Sequence, residues 1–241
     1  MRKLKLFFIR KTKALYLFFR LHYLFSPFEN IFFNLAYLNR FSRWHGKHRN
    51  QGQTDFFSWK FDYKKRYDLY EYLIESQKLQ GPIDYLEFGV AAGLSVRWWV
   101  SHNTHPDSRF VGFDTFTGLP EKWKMFKAGE MTNEGQFPVV NDERCSFEAG
   151  LFQQTVPKFL EKYIGDRAAI YHMDADLYSS TLYVLTSLAI KLKKGDIIIF
   201  DEFGVPTHEF RAFQDFMNSY YLKFEVLAAN NNYYQVAIKL I

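Results

Sequence analysis

The chain has 241 residues, enough for one large α/β domain with an appendage and a substantial core, and too few to suggest two independent domains. Its formal charge of +5 is uneven: residues 1–50 hold 11 Lys/Arg against one acid, Glu29, a net +10 that leaves the rest of the chain at −5. The acidic body carries no basic-aromatic motif, which argues against a nucleic-acid partner, and the single cysteine, Cys145, excludes an internal disulfide and fits a reducing cytoplasm.

Aromatic residues make up 20% of the chain, with 27 Phe and 16 Tyr. They read either as a Phe-rich core or as an apolar surface that meets a partner or a membrane. Met1 to Phe25 intersperses Arg2, Lys3, Lys5, Arg10, Lys11, Lys13 and Arg20 with apolar runs. The charges recur too often for a membrane span, and the interrupted apolar stretch with no small-residue cleavage site makes a poor signal peptide. On a helical wheel Leu4, Phe8, Leu15 and Phe19 share a face on which Lys11 intrudes, so the segment is weakly amphipathic. Two readings stay open: a peripheral contact of residues 1–41 with the inner face of an anionic membrane, or a helical arm packed on its own domain or on a second copy in a homo-oligomer. The packed arm is preferred.

Ser26-Pro27 breaks the first helix, and 30–41 is expected to form a second. The polar stretch Ser42 to Thr54 reads as a loop, which makes 1–54 an extension with its linker and 55–241 the main domain. His45 and His48 lie in it without a nearby Cys or acid and read as solvated. A helix follows over 67–79. Strands are then expected at 84–89, 109–114, 145–149, 168–174 and 196–201, and helices at 93–102, 155–163, 178–193 and 207–219. Alternating strands and helices make a parallel sheet with right-handed crossovers. The last two apolar segments flank Asn230-Asn231-Asn232, too short for a crossover, so the chain closes in an antiparallel hairpin.

The most informative stretch is Asp84-Tyr-Leu-Glu-Phe-Gly-Val-Ala-Ala-Gly-Leu-Ser95, with Asp114 placed 21 residues beyond Gly93. A buried strand, a glycine turn, a helix and an acid at the end of the next strand describe a nucleoside pocket, the acid being suited to bond ribose hydroxyls. The glycine pattern is Glu-x-Gly-x-x-x-Gly, lacking the middle glycine of a dinucleotide site. Glu87 would repel phosphates but suit a cationic amino or sulfonium group, which favours S-adenosylmethionine over a nicotinamide cofactor.

Ligands of open α/β sheets bind beyond the carboxyl ends of the strands. Those ends read Glu87/Gly89, Asp114, Gly150, Asp174/Asp176 and Asp201/Glu202. Asp174, Asp201 and Glu202 would together make an all-oxygen site suited to Mg²⁺ or another hard divalent cation, whereas Asp176 is assigned to capping the next helix. His172 is expected on the face of Asp174, as a base, a ligand-orienting group or a buried histidine, and His208 near the mouth of the site. Cys145 is assigned to the core. The stretch 119–143 lacks periodicity and is expected to be a lid over the acceptor, with Trp123, Phe126 and Phe137 stacking on a ring or packing the loop down.

Five segments in order, Tyr85-Leu-Glu-Phe-Gly-Val, Gly112-Phe-Asp-Thr-Phe-Thr-Gly-Leu-Pro-Glu-Lys-Trp, Gly150-Leu-Phe-Gln-Gln-Thr-Val-Pro, His172-Met-Asp-Ala-Asp-Leu-Tyr-Ser-Ser-Thr and Phe200-Asp-Glu-Phe, resemble the macrocin/mycinamicin sugar O-methyltransferase family and its bacterial relatives. The resemblance spans 80–240 and leaves 1–50 unaddressed. It implies a Rossmann-like class I methyltransferase fold, a mostly parallel sheet of about seven strands ending in an antiparallel hairpin. It further implies that Glu87, Gly89 and Gly93 surround the methionine part of S-adenosylmethionine, that Asp114 holds the ribose, that Thr115 and Phe116 border the adenosine, and that Gly150, Leu151 and Phe152 approach the adenine. Asp174 matches a metal ligand that also accepts the acceptor's proton, and Asp201 and Glu202 match a pair of carboxylates. Ala175 stands where the family has Gly, and Glu202 where it has Asp. The implied activity is metal-assisted O-methylation of a hydroxyl of a sugar, glycoconjugate or other secondary metabolite. A scaffold module that keeps the fold without turnover is the alternative.

Overall fold

The computed structural model describes residues 1–123 and 126–241. Helices α1 (Arg2–Phe18), α2 (His22–Phe25) and α3 (Glu29–His48) precede a two-residue edge strand β1 (Gln53–Thr54) and helix α4 (Lys65–Ser76). The body then runs β2 (Ile83–Phe88), α5 (Leu94–His102), β3 (Arg109–Asp114), β4 (Cys145–Ala149), α6 (Phe152–Lys162), β5 (Ala168–Met173), α7 (Tyr178–Leu188), β6 (Ile197–Phe200), α8 (Glu209–Ser219), β7 (Phe224–Asn230) and β8 (Gln235–Leu240).

The strands form one sheet in the order β1-β7-β8-β6-β5-β2-β3-β4. Every neighbour pair is parallel except those of β8 with β6 and β7. The short Asn231-centred turn leaves β8 no room to cross over, so it must run antiparallel. After β4 the chain returns across the sheet to place β5 on the other side of β2, and this reversal opens a crevice beyond the carboxyl ends of β2 and β5.

Because successive strand residues face opposite sides, two apolar layers form. Leu86, Phe88, Tyr171 and Met173 meet α6, α7, α8 and the end of α3 on one face, while Tyr85, Ile170 and Ile199 meet α4 and α5 on the other. Strand β2 is buried along its whole length, as expected of the central strand of a parallel sheet.

The sheet has eight strands rather than about seven, since β1 adds to β7 at the edge. The expected loop at 42–54 is largely helix: α3 continues to His48 because Trp44 packs among Phe203, Phe210, Phe213 and Tyr233. His45 therefore sits on a helix, its ring against Phe56 and Tyr233, rather than in a solvated loop. Asp176 stands one residue before the N-cap of α7. The N-cap is Leu177 in extended conformation with no side-chain cap bond, and Asp176 turns the chain with φ +59. Residues Lys124 and Met125 of the expected lid lie outside the described residues. The rest of 119–143 has no regular helix or strand and is held by bonds from Leu119 N–H to Glu130 O and from Gly135 N–H to Phe116 O.

Candidate active site

A cavity of ≈ 580 Å³ lies beyond the carboxyl ends of the strands. The sheet order divides its wall. The ends of β3 and β4 bring Asp114, Thr115, Gly150, Leu151 and Phe152 to one side of Glu87 and Gly89, and the ends of β5 and β6 bring Asp174, Asp176 and Glu202 to the other.

On the first side the geometry is set by backbone turns. Gly89 has φ +98, and a Cβ there would stand 1.9 Å from the carbonyl oxygen of Asp174, so no larger residue fits between β2 and β5. Asp114 Oδ2 accepts the N–H groups of Val90 and Ala91, each at 2.8 Å, and its Oδ1 accepts that of Phe116 at 2.8 Å. The carboxylate thus fixes the turn after β2, with both lone pairs of Oδ2 engaged and one lone pair of Oδ1 left for a ligand. Glu87 is buried, and the Tyr85 hydroxyl donates to its Oε2 at 2.7 Å. Burial pushes the Glu87 carboxyl up to about 8, against the opposing pull of the Tyr85 hydroxyl and Arg66.

On the second side a cation of the chain itself meets the acids. Arg66, buried at the start of α4, places Nη1 3.1 Å from Asp201 Oδ2 and 3.8 Å from Asp174 Oδ2. Tyr63 donates to the same Asp201 oxygen at 2.5 Å, and Arg66 also bonds the Tyr63 hydroxyl. Burial and the neighbouring Asp201 raise the Asp174 carboxyl well above the ordinary range. Burial acts on Asp201 in the same direction, but His172, Arg66 and Tyr63 outweigh it and hold that acid below the ordinary value. Asp201 is therefore the more acidic of the pair.

Among the described residues the ligand atoms that converge, within 4.8 Å of one another, belong to His172, Asp174 and Asp201. Glu202 is not in that group: its Oε1 accepts the Tyr234 hydroxyl at 2.8 Å. Magnesium takes about six oxygens in near-octahedral array. Here the third donor is a nitrogen, and a guanidinium and a phenol already hold Asp201 Oδ2. The positive charge that an ion would bring between the two acids is supplied here by Arg66.

The remaining sequence-derived residues fall behind the wall. Gly93 is the N-cap of α5 with φ +73 and packs against Pro138, and Phe116 is buried edge-on to Phe137 and Phe147. His172 is fully buried, with Nδ1 2.7 Å from the Tyr85 hydroxyl and Nε2 3.9 Å from Asp201 Oδ1. His208 precedes α8 and is not among the residues lining the cavity. Cys145 is half-buried against the apolar layer of α4 and α5. Sequence reasoning missed Arg66 and Tyr63. The available signal was Arg66 itself, a charge on the α4 stripe that continues through Leu69, Tyr70 and Leu73 at helical spacing.

The family model described as Macrocin-O-methyltransferase (TylF) matches residues 61–232, which span every strand from β2 to β7. The chain belongs to the macrocin O-methyltransferase family. The methyltransferase is similar in fold to the calicheamicin methyltransferase CalS11, with 23% identity over 73% of this chain and 79% of that one and a TM-score of 0.58. It is also similar to the O-methyltransferase NovP, with 21% identity over 73% of this chain and 78% of that one and a TM-score of 0.54. Comparison with curated protein sequences gives no match. Helices α1 to α3 precede the residues that the family model matches. The methyltransferase takes its methyl group from S-adenosylmethionine.

Proposed function

We propose that this enzyme methylates a hydroxyl of a sugar, glycoconjugate or other secondary metabolite, and that it does so without a divalent cation. The observation that carries the reading is a cavity that joins a nucleoside-shaped half to an acid pair facing Arg66. The acceptor class extends the name of the family.

S-adenosylmethionine supplies an electrophilic methyl on a sulfonium. Glu87 faces its amino group, Asp114 Oδ1 accepts from a ribose hydroxyl, and Thr115, Gly150, Leu151 and Phe152 border the base. The acceptor oxygen attacks the methyl carbon in line, the carbon–sulfur bond breaks, and S-adenosylhomocysteine and a methyl ether form. The hydroxyl proton passes to Asp174 in its ionised form. Arg66 stabilises that form and, with Tyr63, orients Asp201 beside it. His172 acts from behind as a positioning residue for Asp201.

The test is calorimetric titration with S-adenosylhomocysteine, with and without EDTA. Micromolar binding is expected, unchanged by the chelator. No binding under either condition would sink the cofactor geometry. Turnover that EDTA abolishes and Mg²⁺ restores would sink the cation-free reading alone.

A further inference from the structure

Helix α1 buries none of its residues, and α2 and the first half of α3 are equally bare, Tyr37 being the first buried side chain of the chain. Helices α1 and α2 are therefore not packed on the body. Apolar surface of this extent is covered by something in a stable protein. No described helix is long and apolar enough to cross a membrane.

Charge decides what covers it. Residues 1–28 hold seven Lys/Arg and no acid. A second copy of the arm would set like charge against like, whereas anionic lipid headgroups complement it. The distribution around the helix points the same way. A two-helix interface needs one apolar stripe, but Lys11 interrupts the Leu4–Phe8–Leu15–Phe19 face. In a bilayer interface Phe and Tyr sit at headgroup level while long Lys and Arg stems reach back to water.

The bare surface continues to the cavity. The ring of Phe56 lies 4.4 Å from His45 of α3, Phe57 lies 4.7 Å from Trp59, and Trp59 is 93% exposed. The segment is pinned beside the acids, for Phe61 packs on Tyr234, Tyr234 bonds Glu202, and Tyr63 lines the cavity. At the other end Arg211 bridges Phe33 of α3 and Tyr178, which adjoins the cavity residue Ser179.

We propose that this face seats the enzyme on an anionic lipid bilayer, with α1 and the exposed half of α3 in the interface and Trp59 entering it beside the mouth of the cavity. The docking does not depend on the methyl-transfer chemistry. Its effect on that chemistry is to present the cavity to acceptors held at the membrane surface.

The full-length protein is tested by flotation with vesicles of equimolar phosphatidylglycerol and phosphatidylcholine and, in parallel, of phosphatidylcholine alone. Binding to the anionic vesicles is expected to be about tenfold stronger, and to fall about tenfold as NaCl is raised from about 0.1 M to about 0.5 M. The combined Lys3→Glu, Lys5→Glu, Lys11→Glu and Lys13→Glu variant should stay with the soluble fraction while binding S-adenosylhomocysteine as the parent does, which separates lost docking from lost folding. Lipids carrying an acyl-chain quencher should reduce tryptophan emission in the parent more than in a Trp59→Phe variant. Failure to float on anionic vesicles overturns the proposal, as does a stable dimer by light scattering whose arm is lost to vesicles. Flotation without quenching of Trp59 overturns the placement of the cavity mouth.

Discussion

Arg66 answers two carboxylates and a phenol at once, so its removal leaves Asp174 and Asp201 facing each other without a counter-charge. Breaking a buried pair in this way costs about 3–5 kcal/mol. Arg66→Met is expected to lose stability on that scale in urea denaturation, and Asp201→Asn added to it should recover part of the loss. A double variant no more stable than Arg66→Met would mean that the acids do not repel. Glu87 supplies a pH dependence of definite sign. Its folded value is raised from 4.5 to about 8. Between those values the unfolded chain has released the proton that the folded chain keeps. The Glu87 contribution to stability is thus complete at low pH, declines by about 1.4 kcal/mol per unit as pH rises through that window, and levels off above it. Glu87→Gln should remove this component of the slope. A ligand amino group beside Glu87 favours the ionised form, so S-adenosylhomocysteine should release up to one proton when it binds below pH 8, read by calorimetry in buffers of different ionisation enthalpy. Proton release that Glu87→Gln leaves unchanged would place the amino group elsewhere.

Helix α3 belongs to two environments. Its C-terminal part is anchored by Trp44, which is 6% exposed and touches four aromatic rings of the body, whereas Phe32 is 57% exposed. Trp44→Ala should cost about 3–5 kcal/mol, the usual range for a large aromatic removed from a packed core. Phe32→Ser should stay within about 0.5 kcal/mol of the parent. Thermal denaturation of both variants checks the contrast, and equal losses would mean that the exposed half is packed in solution. This division was hidden in the sequence because Ser42 to His48 is polar apart from Trp44, and one aromatic side chain creates no periodicity. Asp176 was placed one position off for a related reason. An acid just before a helix satisfies the capping rule, yet its backbone turns with φ +59 and Leu177 takes the N-cap position.

At the scale of the molecule, the sheet was legible because its strands are apolar runs such as Ile197–Phe200 that end in acids, and the rule for open sheets converts those ends into one crevice. The edge strand β1 was not, since two residues carry no pattern. The acid half of the site was read without Arg66, because that residue arrives from α4, far from the acids in sequence, and only folding brings the helix over β5 and β6. That architecture separates a rigid sheet from a bare arm, which gives a prediction for amide hydrogen exchange. The buried bonds of β2, β5 and β6 should exchange only through global unfolding, while α1, with no buried residue, should exchange through local opening far sooner. S-adenosylhomocysteine should slow exchange at the turns after β2, β3 and β4, where the cavity wall is backbone, and leave α1 unchanged. Ligand present at about 100 times its dissociation constant should stabilise the sheet by about 2.7 kcal/mol. Slowing confined to the ends of β5 and β6 would mean that the nucleoside lies on the acid side of Glu87, and the assignment of Asp114 would fall with it.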